Sequence, residues 1–372
     1  MIEGVQPLLA CLLSRVFIFG ASRGIQAEIR HDSRARDLDQ FVALIFGSPK
    51  SEEQSMLHLF YIRSGFEYFF STVLIEHLGL QDVVFVLSEP REGIEKRAAE
   101  DYSVIYTKNG FIARVFGKKA GKLAFARRVF RELDLAGKRV ALYSVGFNET
   151  FQDALRSRME RKCAETRYVL LPDGAALLRH LPRKEENPYA FIKLVRKLYS
   201  IEPVDPRHTS GSYSSFIDKI YHFPAEKIYA DPDKVEIVPV PTSDNRHSNE
   251  ILIIGGLQGI SKEFVAEAQR ISDGSVVRYR MHPRNRSGEE FILEQGPDWQ
   301  ELELEGALEE HLLQHPYRLV LGAYSTALMF NHLFVTDSQS HFIIDAENED
   351  PDWQATAEAC GIPVTRLVEA EP

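Results

Sequence analysis

Four short polar motifs in this chain each follow an apolar run, where the end of a β-strand would present them to a ligand. In LLPDGAALLRH, Asp173 and Gly174 come after the run Tyr168–Leu171. A carboxylate there can cap the following helix by accepting its first amide hydrogens, or it can take a proton from a bound hydroxyl. In VVRYRMHPR, His282 and Pro283 end an apolar stretch, with Arg280 and Arg284 on either side. An imidazole titrates near neutrality, the proline restricts the loop, and an arginine could face a carboxylate or phosphate or simply be a solvated strand end. In GAYSTALMF, Ser325 and Thr326 open a helix. Two hydroxyls and the unpaired amide hydrogens of a first turn could receive a phosphate, and capping alone explains them as well. In IIGGLQGISKE, Gly255 and Gly256 would let the backbone approach a ligand closely or would make a tight turn.

The elements that must position these motifs alternate between strand and helix. Strands are predicted at LHLFYI from Leu57, VVFVLS from Val83, YSVIYT from Tyr102, RVALYS from Arg139 and RYVLLP from Arg167, with a periodic helical segment over Ser64 to His77. After Glu250 the order is ILIIGG, a helix from Ser261, VVRYRM, a helix from Ser287, YRLVLGA, a helix from Ser325, HFIIDA and a last helix from Pro351. Such alternation implies parallel sheets covered by helices on both faces. Ile201 to Tyr213 and Pro239 to Ser248 are rich in Pro, Ser, Asp and Gly, and the short region between them is expected to bridge two domains. The expected class is α/β, with two doubly wound Rossmann-like domains facing a cleft beyond the carboxyl ends of their strands. The divisions are 1–55, an extension of unassigned role, then 56–235 and 245–372.

Composition narrows the partners. At 372 residues and 44% hydrophobic content the chain can bury two cores, and its net charge of -10 argues against nucleic acid or an anionic membrane as the main partner. Cys11, Cys163 and Cys360 are far apart and form no CxxC pair, so neither a disulfide framework nor a thiolate metal site is expected, and a reducing cytoplasm fits. The apolar run Val5 to Ser14 is too short to span a bilayer and has no cationic segment before it. Any work at a membrane is therefore expected to be peripheral, from the inner surface.

The order of the motifs, an Asp-Gly step, then His-Pro, then a Ser-Thr pair opening a helix, resembles the bacterial sialyltransferases, including the lipooligosaccharide enzymes and the capsule polysialyltransferases. The likeness runs loosely from Met56 to Phe334; YRMHPR and GAYSTALMF are its most specific parts, and LFYIRSGFEYFFSTVL resembles the family's first strand and helix. It departs where Pro172 precedes a single acidic residue in place of two. The resemblance implies a GT-B fold with an acceptor-side first domain and a nucleotide-sugar-binding second one. It also implies an inverting, metal-independent transferase that uses a CMP-activated nonulosonic acid as donor, needs no cofactor and acts on a glycan hydroxyl. By the same resemblance Asp173 is the base, and His282, Pro283, Ser325, Thr326, Gly255 and Gly256 lie at the donor phosphate or sugar. Glu309, with Glu310 as its rival, would meet the ribose, and Arg284 or Arg280 the donor carboxylate or phosphate. Transfer of another CMP-linked acidic sugar such as Kdo, or a cleft that binds without catalysis, are the neighbouring readings.

Other patterns imitate different chemistry. VFIFGASRGIQAEI has Gly20 and Gly24 of a dinucleotide turn but Gln26 where the third glycine belongs, and the YxxxK formed by Tyr189 and Lys193 has no suitably placed serine, which disfavours a nicotinamide oxidoreductase. His311 and His315 stand one helical turn apart without the glutamate of HExxH, and the acidic pairs beginning at Asp37 and Asp231 lie in turn-like charged surroundings.

Overall fold

The computed structural model describes residues 55–87, 92–106, 111–147, 150–174, 176–179, 204–243, 245, 247–256, 258–282, 285–296, 298–304, 306–345 and 351–367. All of these lie in one compact unit, Ser55–Pro372. Cys11, Gly20, Gly24, Gln26, Asp37, Tyr189, Lys193, Pro283 and Arg284 lie outside the described residues.

Two parallel sheets organise this unit. The first contains β1 (Leu57–Ile62), β2 (Val83–Leu87), β3 (Ser103–Tyr106), β4 (Arg139–Ser144), β5 (Glu165–Leu170), β6 (Lys219–His222) and β7 (Val235–Ile237), in the order β3-β2-β1-β4-β5-β6-β7. The second contains β8 (Ser248–Ile254), β9 (Val277–Arg280), β10 (Gln300–Glu301), β11 (Tyr317–Gly322), β12 (Gln339–Asp345) and β13 (Val364–Leu367), in the order β10-β9-β8-β11-β12-β13. In both, the chain starts in the middle, winds outward, then crosses back to the other side, which is the doubly wound order. The strands β1 and β4 and the carboxyl-terminal parts of β8 (from Ile251) and β11 (from Val320) are buried on both faces, as their apolar sequences there require.

The region expected to bridge the domains instead supplies β6 and β7, which extend the first sheet. Both strands are short, and Lys219, His222 and Glu236 interrupt their apolar residues, so they carry little periodic signal. Helices α1 (Gly65–Leu78), α2 (Glu92–Asp101), α3 (Phe111–Glu132) and α4 (Thr150–Lys162) accompany the first sheet. The second is accompanied by α5 (Lys262–Ser272), α6 (Glu289–Gln295), α7 (Leu308–Gln314), α8 (Thr326–Phe334) and α9 (Pro351–Ala359).

One hydrophobic cluster spans both lobes, and each lobe has a further cluster of its own. Helix α1 has almost no polar face, because it is covered by its own sheet and also by α8; Phe66 and Phe69 meet Phe330 edge-on at ring-centroid distances of 6.4 and 5.6 Å. Phe223, just beyond β6, packs on Phe334 at 5.6 Å. Backbone joins the lobes as well, through Ser243 N–H to the Phe334 carbonyl at 3.0 Å and the Thr336 hydroxyl to the Ser243 carbonyl at 2.7 Å. Each fully buried Phe contributes roughly 1.5–3 kcal/mol, so the seam is held chiefly by apolar burial.

Candidate active site

Doubly wound sheets bind ligands at the carboxyl ends of their strands, where the strand order reverses. In the second sheet that point lies between β8 and β11. Gly255 and Gly256 follow β8, and Ala323 to Ser325 follow β11. A Cβ on Gly256 would stand 3.2 Å from the Ala323 Cβ, and one on Gly255 would stand 3.4 Å from the His282 amide nitrogen and 3.1 Å from Met281 Sδ. The glycine pair therefore lies packed between the ends of β9 and β11, with His282 on one side and the Ser325 step on the other. Asn285 donates its N–H to the His282 carbonyl at 3.0 Å, and the two residues form a bridge that fixes the histidine's backbone.

Ser325 is the N-cap of α8, with extended backbone and its Oγ accepting from Ala327 N–H at 3.3 Å. Ser325 and Thr326 are both half-buried. The capping reading and the anion-site reading are compatible here, because one cap oxygen leaves several first-turn amides still to be satisfied.

On the first sheet, Asp173 and Gly174 follow β5 and lead into a single 3-10 turn, Ala176–Leu178. The Asp173 carbonyl accepts from Ala176 N–H at 2.9 Å, and its side chain is 50% exposed, 3.4 Å from Arg63 Nη2. Gly174 has φ of +51°, and a Cβ there would come within 2.5 Å of Thr326 Cγ2 and 2.9 Å of Thr326 Cβ. The Asp-Gly step of one lobe thus lies directly against the Ser-Thr step of the other. A second close approach flanks it at Gly65, where a Cβ would stand 3.1 Å from Ala307 Cα, so the N-termini of α1 and α7 also meet without an intervening side chain.

Arg63 and Glu67 are functional candidates that motif reading passed over. Ser64 caps α1, its Oγ accepting from Glu67 N–H at 3.2 Å, and the Glu67 carboxyl accepts from Arg63 N–H at 2.6 Å. Glu67 is 2% exposed and also lies 3.4 Å from Arg63 Nε. Burial pushes its pKa up to about 7, with Arg63 opposing and Asp173 reinforcing that rise. A Ser-x-x-Glu spacing at 64–67 is visible in the sequence as a capping box. Its connection through Arg63 to a carboxylate more than a hundred positions later is purely tertiary.

The remaining residues are placed less centrally. Glu309, in the first turn of α7, is buried, and burial pushes its carboxyl up to about 7. Its rival Glu310 is engaged elsewhere: Arg97 of α2 grips it bidentately at 2.7 and 2.5 Å across the lobes, beside a cavity of about 510 Å³ that Tyr68, Thr72 and Tyr102 also line. Arg280 donates to the Leu302 carbonyl at 2.9 Å, a contact along its own sheet. His311 is bonded to the Tyr317 hydroxyl at 3.0 Å and meets His315 in a tilted ring contact at 4.8 Å, and Asp231 caps a 3-10 turn. Among the described residues, no group of three His, Cys, Asp or Glu side chains is arranged to hold a metal ion, and no helix is long and apolar enough to cross a membrane.

The raised carboxyl of Glu309 makes a stability prediction. A buried acid that is protonated up to about pH 7, against an ordinary value of 4.5, contributes stability below pH 4.5 that is lost as pH rises to about 7. His222 and His311, both held down to about 4 by burial, act in the opposite sense, adding stability as pH rises from about 4 to 6.5. Glu309→Gln removes one downward contribution and leaves the histidines in place. Urea unfolding at a series of pH values should show the variant gaining on the wild type by up to about 3 kcal/mol between pH 4.5 and 7. Parallel curves would mean that Glu309 is not a neutral buried acid.

No family model matches this sequence, and no curated protein matches it. Solved structures do. The α/β-galactoside α-2,3-sialyltransferase of Photobacterium phosphoreum aligns with a TM-score of 0.56 at 10% identity, over 84% of this chain and 99% of that one. The GT-B domain of the sialyltransferase from Photobacterium damselae aligns at 0.53 and 12% identity, over 84% of this chain and all of the other. The fold is GT-B. The UDP-GlcNAc 2-epimerase of Neisseria meningitidis aligns at a lower score, 0.45, with 12% identity over 85% of this chain and 88% of the other. At these identities the likeness concerns the GT-B architecture, two Rossmann-like lobes, and leaves the chemistry to the residues at the seam.

Proposed function

We propose that this GT-B protein is an inverting, metal-independent glycosyltransferase that moves sialic acid, or a related nonulosonic acid, from its CMP-activated form to a glycan hydroxyl. The observation that supports this reading is the approach of Gly174 to Thr326, which brings the Asp-Gly step, with its half-exposed carboxylate, against the Ser-Thr step that opens α8. Asp173 takes the proton from the acceptor hydroxyl. That oxygen then bonds to the anomeric carbon from the face opposite the phosphate, and the departing bond's electron pair leaves on the phosphate of CMP. Charge grows on the phosphate as the bond breaks, so donors already aimed at it favour the transition state over the bound substrate. Ser325, Thr326 and the first amides of α8 supply such donors, and His282 adds a hydrogen bond or a proton. Gly255 and Gly256 give the phosphate or sugar room to approach the backbone. Glu309 serves the ribose and Arg284 the donor carboxylate in the same reading, and contact with a membrane is peripheral, at the inner surface.

Ligand class is tested most cheaply by thermal unfolding with CMP, UDP, GDP and NAD. A ligand that binds only the folded state at 100 times its Kd adds about 2.7 kcal/mol of apparent stability. CMP should raise the unfolding midpoint and the other three should not. A shift with UDP alone would remove the proposed donor.

A further inference from the structure

We propose that His208 and Arg179 are positioning residues for Asp173: the imidazole fixes the turn that carries the carboxylate, and the guanidinium fastens that turn to Trp353 on the second lobe. The part played by Asp173 rests on the transferase reading, whereas the clamp itself is a matter of contacts.

His208 lies in a stretch whose Pro, Ser and Gly content suggests a linker, yet it is 0% exposed. Its Nε2 stands 3.1 Å from the Ala176 carbonyl and 3.1 Å from the Arg179 carbonyl. Both partners only accept, so Nε2 carries the proton and shares it between them. Nδ1 then accepts, from Ser210 N–H at 3.2 Å and from the Ser210 hydroxyl at 2.7 Å. The imidazole is thereby held in one tautomer and one orientation, and it closes the 3-10 turn from inside the first lobe. Ala176 is the residue whose N–H bonds the Asp173 carbonyl at 2.9 Å, so the residue that the imidazole holds is itself tied to the backbone of Asp173.

Beyond the turn, the Arg179 guanidinium carbon lies 4.9 Å from the centroid of the Trp353 ring. Trp353 in turn packs on Tyr324 at 5.9 Å and on Phe342 at 6.1 Å. Tyr324 immediately precedes Ser325. The turn that begins with Asp173 therefore touches the second lobe twice, Gly174 on Thr326 and Arg179 on the ring behind Tyr324, with His208 gripping it between. A carboxylate mounted this way keeps its distance from the phosphate site for as long as both ends are attached. Misplacing a reacting group by about 1 Å costs on the order of 100-fold in rate, which is the effect expected from releasing the clamp.

The experiment has a substrate-independent arm. The chain has two tryptophans, so in a Trp299→Phe background fluorescence reports Trp353 alone. Arg179→Ala and His208→Leu should each shift its emission to the red and increase its quenching by acrylamide. His208→Gln, whose amide can still donate near the Nε2 position, should lie close to the parent. In the kinetic arm, CMP release from CMP-sialic acid by His208→Leu should lose about 100-fold in kcat with KM for the donor within about twofold. The same substitution in an Asp173→Asn background should cost no further rate, because a residue acting through Asp173 has nothing left to position. Unchanged quenching in Arg179→Ala and His208→Leu, or losses that multiply with Asp173→Asn as general structural damage would, overturns the proposal. Should His208→Leu fail to fold, Arg179→Ala carries both arms, with the same loss in kcat and no further loss in the Asp173→Asn background expected of it, and His208→Gln remains the near-parent control. Lack of CMP release by the wild-type protein sinks the transferase reading, and the quenching arm then judges the clamp alone.

Discussion

Replacing Asp173 by Asn is expected to lower sugar transfer by about 100- to 10,000-fold while leaving stabilisation by CMP in place. The amide keeps the shape of the side chain and loses its capacity to accept a proton. Its half-exposed ion pair with Arg63, at 3.4 Å, contributes little to folding, so the variant should unfold at nearly the wild-type temperature. Loss of rate without loss of donor binding is the mark of an interaction used only in the transition state. Product formation at saturating donor, measured alongside thermal unfolding with CMP, checks both halves. Full transfer by the variant would remove Asp173 from the reaction and leave it only its ion pair with Arg63.

Gly174→Ala should be nearly as damaging, for a steric reason. The position has φ of +51°, where an L-residue loses about 1–2 kcal/mol relative to glycine. The new methyl would also stand within 2.5 Å of Thr326 Cγ2, so either the turn moves or the lobes separate. Gly79 supplies the control: its φ is +60°, and a Cβ there meets nothing within 4 Å. Gly79→Ala should therefore show the conformational cost alone, with transfer unchanged. Gly174→Ala should show that cost plus a loss of transfer on the order of 100-fold, and Thr326→Gly in the same chain should recover part of it. Unfolding curves and transfer rates that are equal for the two alanine variants would mean that the Asp-Gly and Ser-Thr steps do not meet in the protein in solution.

The architecture was legible wherever burial on both faces leaves an unbroken apolar run. Strands β1, β4, β8 and β11, which set both switch points, are of this kind, and the helices from Ser64, Ser261 and Ser325 are each marked by a capping hydroxyl. The Asp173, His282 and Ser325 motifs were legible for a related reason: a polar residue right after a buried strand stands out from its surroundings. Strands β6, β7, β10 and β13 were not, because they are short and lie toward the sheet edges; β10 is wholly polar and the others mix polar with apolar residues. The pairings across the seam were equally hidden. Nothing local in the sequence links Arg97 to Glu310 across the lobes, or Arg63 to Asp173 and His208 to the turn at Ala176 within the first lobe, since each pair joins segments brought together only by tertiary packing. His208 shows the limit most plainly, a fully buried imidazole in a stretch whose composition is that of an exposed linker.

The most direct measurement is of CMP and the sugar anomer formed from CMP-sialic acid, followed by proton NMR with a chelator present. The expected result is steady release of CMP that the chelator leaves untouched, the first-formed sugar product having the anomeric configuration opposite to the donor's, and loss of both signals in Asp173→Asn. Release that stops on chelation, a product that retains the donor's configuration, or an intact donor alongside turnover of a UDP-sugar would contradict a metal-independent inversion carried out between Asp173 and the Ser325 helix start.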